Sequence, residues 1–279
     1  MTGLKPTWGR VSRYGVFELA GSLDHIGPIT RSAFDAAAML GAIAGADPND
    51  PTASPEPVPD NVSTIEDGVP GIRIGIDRAL ISGGAEDAVV RVVETAAKEL
   101  EVLGARVVPV NVPSLVTVPD TWRSACAVEA AVAHEATFPA QADRYGPVLR
   151  SLLERGRALD GQAVAKCWTA RLLFKGALIS LMRDIDLLLM PAMNRASLTW
   201  EQVEAMRLDT VEQNARLRFT APFDISGSPT ITLPGGFTPD GMPIGFQLVG
   251  RHFEEALVLR AGHAFQRATD WHTRRPPAF

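Results

Sequence analysis

Serine, cysteine, histidine and lysine could carry nucleophilic or proton-transfer chemistry in this chain, but few of them have the spacing of a known catalytic motif. The segment Ser226-Gly227-Ser228-Pro229 places two hydroxyls around a glycine, yet the chain has no Gly-x-Ser-x-Gly nucleophile elbow. Cys126 and His134 could be interpreted as a thiol–imidazole pair, but about two turns of one predicted helix separate them. A buried, inert cysteine is the favoured interpretation.

A lysine can act as a catalytic base only where burial lowers its pKa. Lys98 falls on the polar face of a predicted helix, where it is expected to be solvated, and Lys5 precedes a proline, which favours a structural or surface role. Lys166 and Lys175 lie in a helical stretch with no Gly-Ser segment nearby. No lysine is therefore assigned as a base, and no catalytic residue is assigned on this chain.

Metal and cofactor chemistry is not indicated either. Two cysteines make neither a disulfide framework nor a metal cluster, and they favour a reducing, cytoplasmic setting. A formal net charge of −5 argues against nucleic-acid binding, and no run of about 18 apolar residues predicts a membrane span. None of the histidines has metal-type spacing, and structural or surface roles are expected for them: His25, His134, His252, His263 and His272.

Hydrophobic periodicity then predicts the elements that would position these groups. A helix is expected from Ser32 to Gly45, a proline-rich loop over 47–60, and a helical region over 120–183. The rest of the chain alternates strands with helices, which predicts an α/β fold. The expected strands are 72–76, 106–110, 185–191, 230–234 and 244–250, and the expected helices are 85–103, 200–217 and one from Glu254 to about Trp271.

Two blocks of sequence resemble the amidase signature family. The first is GLKPTWGRVSRYGVFELAGSLDHIGPITR over residues 3–31, and the second is FTAPFDISGSPTITLPGGF with DGMPIGFQLVGRHFEE over residues 219–255. Their glycines and prolines are typical of tight turns beside a shared site. The resemblance implies a mixed β-sheet flanked by helices, and a single domain over 1–279 that lacks its N-terminal part. It also implies that 110–183 is a variable, helical, substrate-side region.

The resemblance implies a chemistry as well. Such enzymes hydrolyse linear, non-peptide amides through an acyl-enzyme, using a serine nucleophile, a second serine on a cis peptide and a lysine base. In the family all three lie upstream of the Gly-Leu-Lys-Pro-Thr run, which here begins at Gly3. We therefore expect that the catalytic lysine and both serines are not on this chain, and that the isolated chain is inactive. No cofactor is implied.

The same resemblance suggests which residues face the substrate. Asp224, Ser226, Gly227 and Ser228 are the expected substrate-binding residues, and Ser22 and Asp24 are expected to support the site. Asp224 could hold a substrate amine, but the favoured interpretation is a local hydrogen bond to backbone, as Asx side chains commonly make. Asp24 is at least as well explained as a plain cap in a glycine-rich turn.

Three hypotheses remain open from the sequence. The chain is a fragment of an amidase whose start was misassigned or whose gene was split, or it is a degenerate, non-catalytic relative that acts as a binding or partner subunit. In the third hypothesis another chain supplies the missing half. The expected partners are a small-molecule amide and the missing N-terminal half, in cis or in trans, with no nucleic acid and no membrane.

Overall fold

A computed structural model describes residues 1–275, which form a mixed sheet with helices on both faces. Within this range the sheet has seven strands: β1 Thr2–Lys5, β2 Ile29–Thr30, β3 Arg73–Ile76, β4 Arg106–Pro109, β5 Leu187–Pro191, β6 Thr230–Phe237 and β7 Pro243–Val249. The α-helices are α1 Ala33–Ile43, α2 Arg78–Ser82, α3 Asp87–Val102, α4 Val118–Ala133, α5 Pro147–Ala158, α6 Gly161–Leu181, α7 Trp200–Ala205, α8 Thr210–Leu217, α9 Ala221–Ile225 and α10 Glu255–Ala268.

The strand order β2-β1-β6-β7-β5-β3-β4 joins distant parts of the chain. β3 pairs parallel with both β4 and β5, as expected for strands linked by helices. β5 then pairs antiparallel with β7, and the antiparallel pairing continues through β6 and β1 to β2. The predicted α/β class with a mixed sheet is therefore confirmed.

β5 is buried on both faces, as its unbroken apolar sequence predicts. Leu187 and Leu189 pack into the core that α1, α3 and α10 cover, while Leu188 and Met190 point into the core beneath α4, α6 and α9. Alternate residues of one strand thus contribute to opposite cores. The helical middle of the chain covers one of those two faces.

Most predicted elements are confirmed to within a few residues, and the differences have local causes. Ser32 caps α1 by accepting a hydrogen bond from the backbone N–H of Asp35, as predicted. The single helix expected over 200–217 is wrong: it divides into α7 and α8, because the Asp209 side chain caps a new helix by accepting from the N–H groups of Val211 and Glu212. β1, β2, α2 and α9 are short, and sequence periodicity does not predict them.

A buried ion pair closes the fold between its two ends. Arg10 and Glu255 are each at most 2% exposed, and Arg10 Nε lies 3.5 Å from Glu255 Oε2. The other oxygen of Glu255 accepts a hydrogen bond of 2.8 Å from the N–H of Thr7. The Arg10 guanidinium also donates to the carbonyls of Glu56 and Pro57, which fixes the proline-rich loop. Residues 7–10, the loop and the start of α10 are therefore joined.

We expect Arg10→Met to lower the free energy of unfolding by about 3–5 kcal/mol, because it leaves the Glu255 carboxylate buried without its partner. Arg274→Met is the matched control, since Arg274 pairs with Asp270 at the surface. That control should cost less than about 1 kcal/mol. Urea denaturation measures both, and equal effects would contradict a special role for the buried pair.

Helices α4 and α5 cross in very close contact at Gly156. A Cβ placed on Gly156 would lie 1.9 Å from the carbonyl oxygen of Ala127, so only glycine permits this approach. Gly176, within α6, has nothing within 4 Å of the corresponding position. The separation of α4 and α5 therefore depends on one glycine.

Gly156→Ala should destabilise the protein by about 1–3 kcal/mol, because the two helices must move apart. Gly176→Ala should instead stabilise it by about 0.5–1 kcal/mol, because alanine is the better helix former at an open position. Thermal melts followed by circular dichroism distinguish the two. If Gly156→Ala left the stability unchanged, the two helices would be free to adjust their separation.

Candidate functional site

The short helix α9 and the turn that follows it form the centre of the site. Gly227 adopts φ +73°, and a Cβ there would lie 3.1 Å from Trp8 Cβ, so the position requires glycine. The hydroxyls of Ser226 and Ser228 lie 3.0 Å apart, and both residues are buried. The carbonyl of Ser226 faces His252 Nε2 at 2.9 Å. These serines are engaged within the protein and do not present free hydroxyls.

Asp224 forms polar contacts with two other segments. Its Oδ1 lies 3.0 Å from His25 Nδ1, and its Oδ2 accepts a hydrogen bond from the indole N–H of Trp122 on α4. His25 Nδ1 also faces the carbonyl of Leu23 at 2.6 Å, so this nitrogen carries the proton. Burial lowers the pKa of His25 more than Asp224 raises it, and the ring is neutral at pH 7.

Ser22 and Asp24 organise the neighbouring turn. Asp24 accepts hydrogen bonds from the backbone N–H groups of Leu19 and Ala20, as a cap would. Ser22 donates to Glu129 and accepts from Arg171, with both separations at 2.5 Å. Arg171 also donates to the carbonyl of Ile225 at 2.9 Å, which joins this turn to α9. The predicted site residues therefore form one connected structure.

Lys5 reaches the same structure from the end of β1. Its ammonium donates hydrogen bonds to the carbonyls of Ser228, at 2.6 Å, and Pro6, at 3.3 Å. Burial lowers the pKa of Lys5 to about 8, although the carboxylates of Asp224 and Glu255 oppose the shift. Of the two roles expected for Lys5, structural or surface, the structure supports the structural one, because its ammonium is buried and bonded to backbone.

The other candidate nucleophiles and bases do not lie together as a catalytic pair. Burial raises the pKa of Cys126 to about 12, and the Nδ1 of His134 instead contacts the hydroxyl of Tyr145 at 3.1 Å. Lys98 and Lys166 are exposed, whereas Lys175 is half-buried and burial lowers its pKa. Among residues 1–275 no cluster of three His, Cys, Asp or Glu side chains could bind a metal.

A cavity of about 590 Å³ adjoins α9. Its walls are α4, α5, the segment over 207–220 and the side chains of Leu19 and Met193. Trp122 lines it and also donates to Asp224, so the cavity and the α9 turn share a wall. This size suits a small organic ligand.

Three residues of this site are missing from the sequence-based assignment, namely Arg171, Trp122 and Glu129. All lie on α4 and α6, where the sequence shows only helical character. A half-buried arginine in a largely apolar helix is the one available signal, since Arg171 needs polar partners there. It does not identify the partners.

The amidase family model matches residues 1–259 of this chain. The chain belongs to the amidase family. AmiD of Mycobacterium tuberculosis, which is named as an amidase, is 45% identical over 279 residues, covering 99% of this chain and 58% of that protein. One subunit of the glutamyl-tRNA(Gln) amidotransferase of Pseudomonas syringae pv. tomato is 32% identical, covering 100% of this chain and 62% of that protein.

Solved amidase-family structures share this fold. The corresponding glutamyl-tRNA(Gln) amidotransferase polypeptide from Thermotoga maritima matches with a TM-score of 0.82 at 30% identity, covering 95% of this chain and 57% of that one. A 6-aminohexanoate cyclic dimer hydrolase matches with a TM-score of 0.83 at 26% identity, covering 99% and 62%. The chain thus spans about three fifths of the length of these amidase relatives. No helix within residues 1–275 combines the length and apolar character needed to cross a bilayer.

The buried Lys5 predicts a specific pH dependence of stability. Between pH 8 and its usual pKa of 10.5, the unfolded chain keeps the Lys5 proton while the folded protein releases it, so stability rises with pH. Relative to Lys5→Met, the wild type should gain on the order of 2–3 kcal/mol between pH 7 and 10.5.

Lys98→Met is the matched control, because it removes the same charged group from an exposed position on α3. Denaturant unfolding at several pH values measures the difference. Parallel stability curves for the wild type and Lys5→Met would show that the Lys5 ammonium keeps an ordinary pKa.

Proposed function

We propose that residues 1–279 form the substrate-facing part of a hydrolase that cleaves linear amides through a serine acyl-enzyme. The lysine and both serines of that chemistry are supplied by polypeptide outside this chain, in cis or as a second chain. Membership of the amidase family supports the reaction class, and the 45% identity to AmiD favours hydrolysis as the outcome.

One structural observation supports the proposal that the catalytic groups come from polypeptide outside this chain. Within residues 1–275 no serine or cysteine side chain hydrogen-bonds to a lysine ammonium or a histidine ring, so the described part of the chain has no activated nucleophile. Ser226 and Ser228 bond to each other, and Ser22 bonds to Glu129 and Arg171. Glu129 and Arg171 hold the Ser22 hydroxyl in place, and neither is a buried neutral lysine, the base that this chemistry uses.

The site instead supplies shape and rigidity. Asp224, Ser226, Gly227 and Ser228 form the substrate-side wall mainly through backbone conformation, because their side chains or φ angles are already committed within the protein. Ser22 and Asp24 support that wall from the adjoining turn. Preorganised walls of this kind place a substrate against catalytic groups at little entropic cost at the moment of reaction.

The test is ammonia release from hexanamide, a neutral linear amide. The 279-residue chain alone should give no turnover above background. Joined, in cis or as a second chain, to an amidase segment that carries the Gly-Gly-Ser sequence, it should gain turnover.

Alanine at the serine of that added segment should then lower the rate by about a thousandfold or more, because removing the nucleophile removes the acyl-enzyme route. Turnover by the chain alone would contradict the proposal. A folded assembly that gains no activity would favour the alternative of a non-catalytic binding or partner subunit.

A further inference from the structure

The cavity beside α9 is strongly cationic within a chain whose formal net charge is −5. No aspartate or glutamate is among the described residues that line it. Its polar lining is dominated by guanidinium groups from α4, α5 and the 207–220 segment: Arg123, Arg155, Arg207 and Arg216. A cavity lined by several guanidinium groups and by no carboxylate favours an anionic ligand.

Not all of this positive charge is neutralised by the protein. Arg155 pairs with Asp120 at 2.9 Å, and Arg207 pairs with Glu204 at 2.7 Å. Neither of these two carboxylates lines the cavity. Arg123 donates only to the neutral amide of Gln213, at 2.6 Å, and forms no ion pair within residues 1–275. Arg216 likewise has no carboxylate partner among the described residues. Two guanidinium groups therefore remain uncompensated.

An unsatisfied donor gives independent support. The Nε of Arg155 is buried and has no hydrogen-bond partner, although its Nη2 bonds to Asp120 and Ser124. A buried donor without an acceptor is costly, and a ligand oxygen would remove that cost. Arg123 and Arg155 both line the cavity, and burial and the charge of Arg155 lower the pKa of Arg123.

Apart from a few neutral polar side chains, the remaining lining is apolar, and it adjoins the expected reaction site. Trp122, Leu149, Leu152 and Leu217 contribute carbon surface, and Trp122 also hydrogen-bonds to Asp224. A ligand that fits has an aliphatic or aromatic body with an anionic end. Guanidinium groups match the planar carboxylate because they can donate two parallel hydrogen bonds.

We propose that this cavity binds the carboxylate end of an amide substrate, with Arg123, Arg155 and Arg216 as its anion-binding groups. The inference rests on the proposed amide hydrolysis and narrows its substrates to linear amides that carry a carboxylate. The apolar lining contacts the chain between the carboxylate and the amide. Neutral amides of the same length bind more weakly because they leave the guanidinium groups unpaired.

The test compares two six-carbon amides by ligand-detected NMR titration of the 279-residue chain: adipamate, which ends in a carboxylate, and hexanamide, which ends in a methyl group. Adipamate should bind about tenfold or more tightly, since charge-assisted hydrogen bonds are the stronger ones. Raising the salt concentration should weaken adipamate and leave hexanamide unchanged.

Arg155→Gln and Arg216→Gln should each lower adipamate affinity by about tenfold and change hexanamide affinity by less than about twofold. Arg216 has no ion pair among the described residues, so its variant should fold normally if Arg155→Gln does not. Arg150→Gln is the matched control, because Arg150 lies on α5 but pairs with Glu154 and is outside the cavity lining. It should bind both probes as the wild type does.

Equal affinity for the two probes, or no adipamate binding, overturns the inference and leaves the proposed hydrolase standing. Loss of adipamate affinity in Arg150→Gln to the same extent also overturns it, because the effect would then be general surface charge. Selective adipamate binding without turnover of either amide by the assembled enzyme keeps the inference and overturns the proposed function.

Discussion

The carboxylate of Glu255 is the constraint on which the rest of this structure depends. It pairs with Arg10 and accepts from the backbone of Thr7, so the chain just after β1 cannot move relative to the start of α10. Arg10 extends the constraint to the carbonyls at 56–57. Lys5 is consequently fixed beneath the turn that follows α9, where its ammonium bonds to backbone rather than to solvent. A buried charge pair is a weak source of stability in general, but here it sets the position of three distant segments.

Elements with strong local signals could be predicted from the sequence. The α1 cap at Ser32, the amphipathic pattern of α3 and the apolar run of β5 each depend on residues adjacent in the chain. β1 could not, because its four residues form a strand through pairing with β2 and with β6, and β6 lies more than two hundred residues away. The break between α7 and α8 was also missed, since one aspartate cap outweighed a continuous helical periodicity.

The features of the site can likewise be divided into those that the sequence could predict and those that it could not. The turn around Gly227 could be predicted because a positive φ restricts the residue type, and that restriction is visible in the sequence. The partners of Asp224 could not, since Trp122 comes from a helix of ordinary composition and reaches the carboxylate only in the folded protein. The lowered pKa of Lys5 is likewise a product of burial, which the neighbouring proline in the sequence does not reveal. Chemistry that depends on tertiary enclosure leaves little trace in local sequence.

The antiparallel pairing of β1 with β6 also limits how early this part of the sheet can be completed during synthesis. Thr2 accepts a hydrogen bond from Gln266, whose other side-chain atom accepts from the backbone of Ala33, so both contacts await nearly the whole chain. The parallel unit of β3, α3 and β4 has short-range contacts and can form while later residues are still being translated. The contacts of β1 with β6 and α10, by contrast, form only after most of the described residues have been made, although β1 and β2 can pair earlier. Until then the edge of β1 that later pairs with β6 is open, and an open strand edge can pair wrongly.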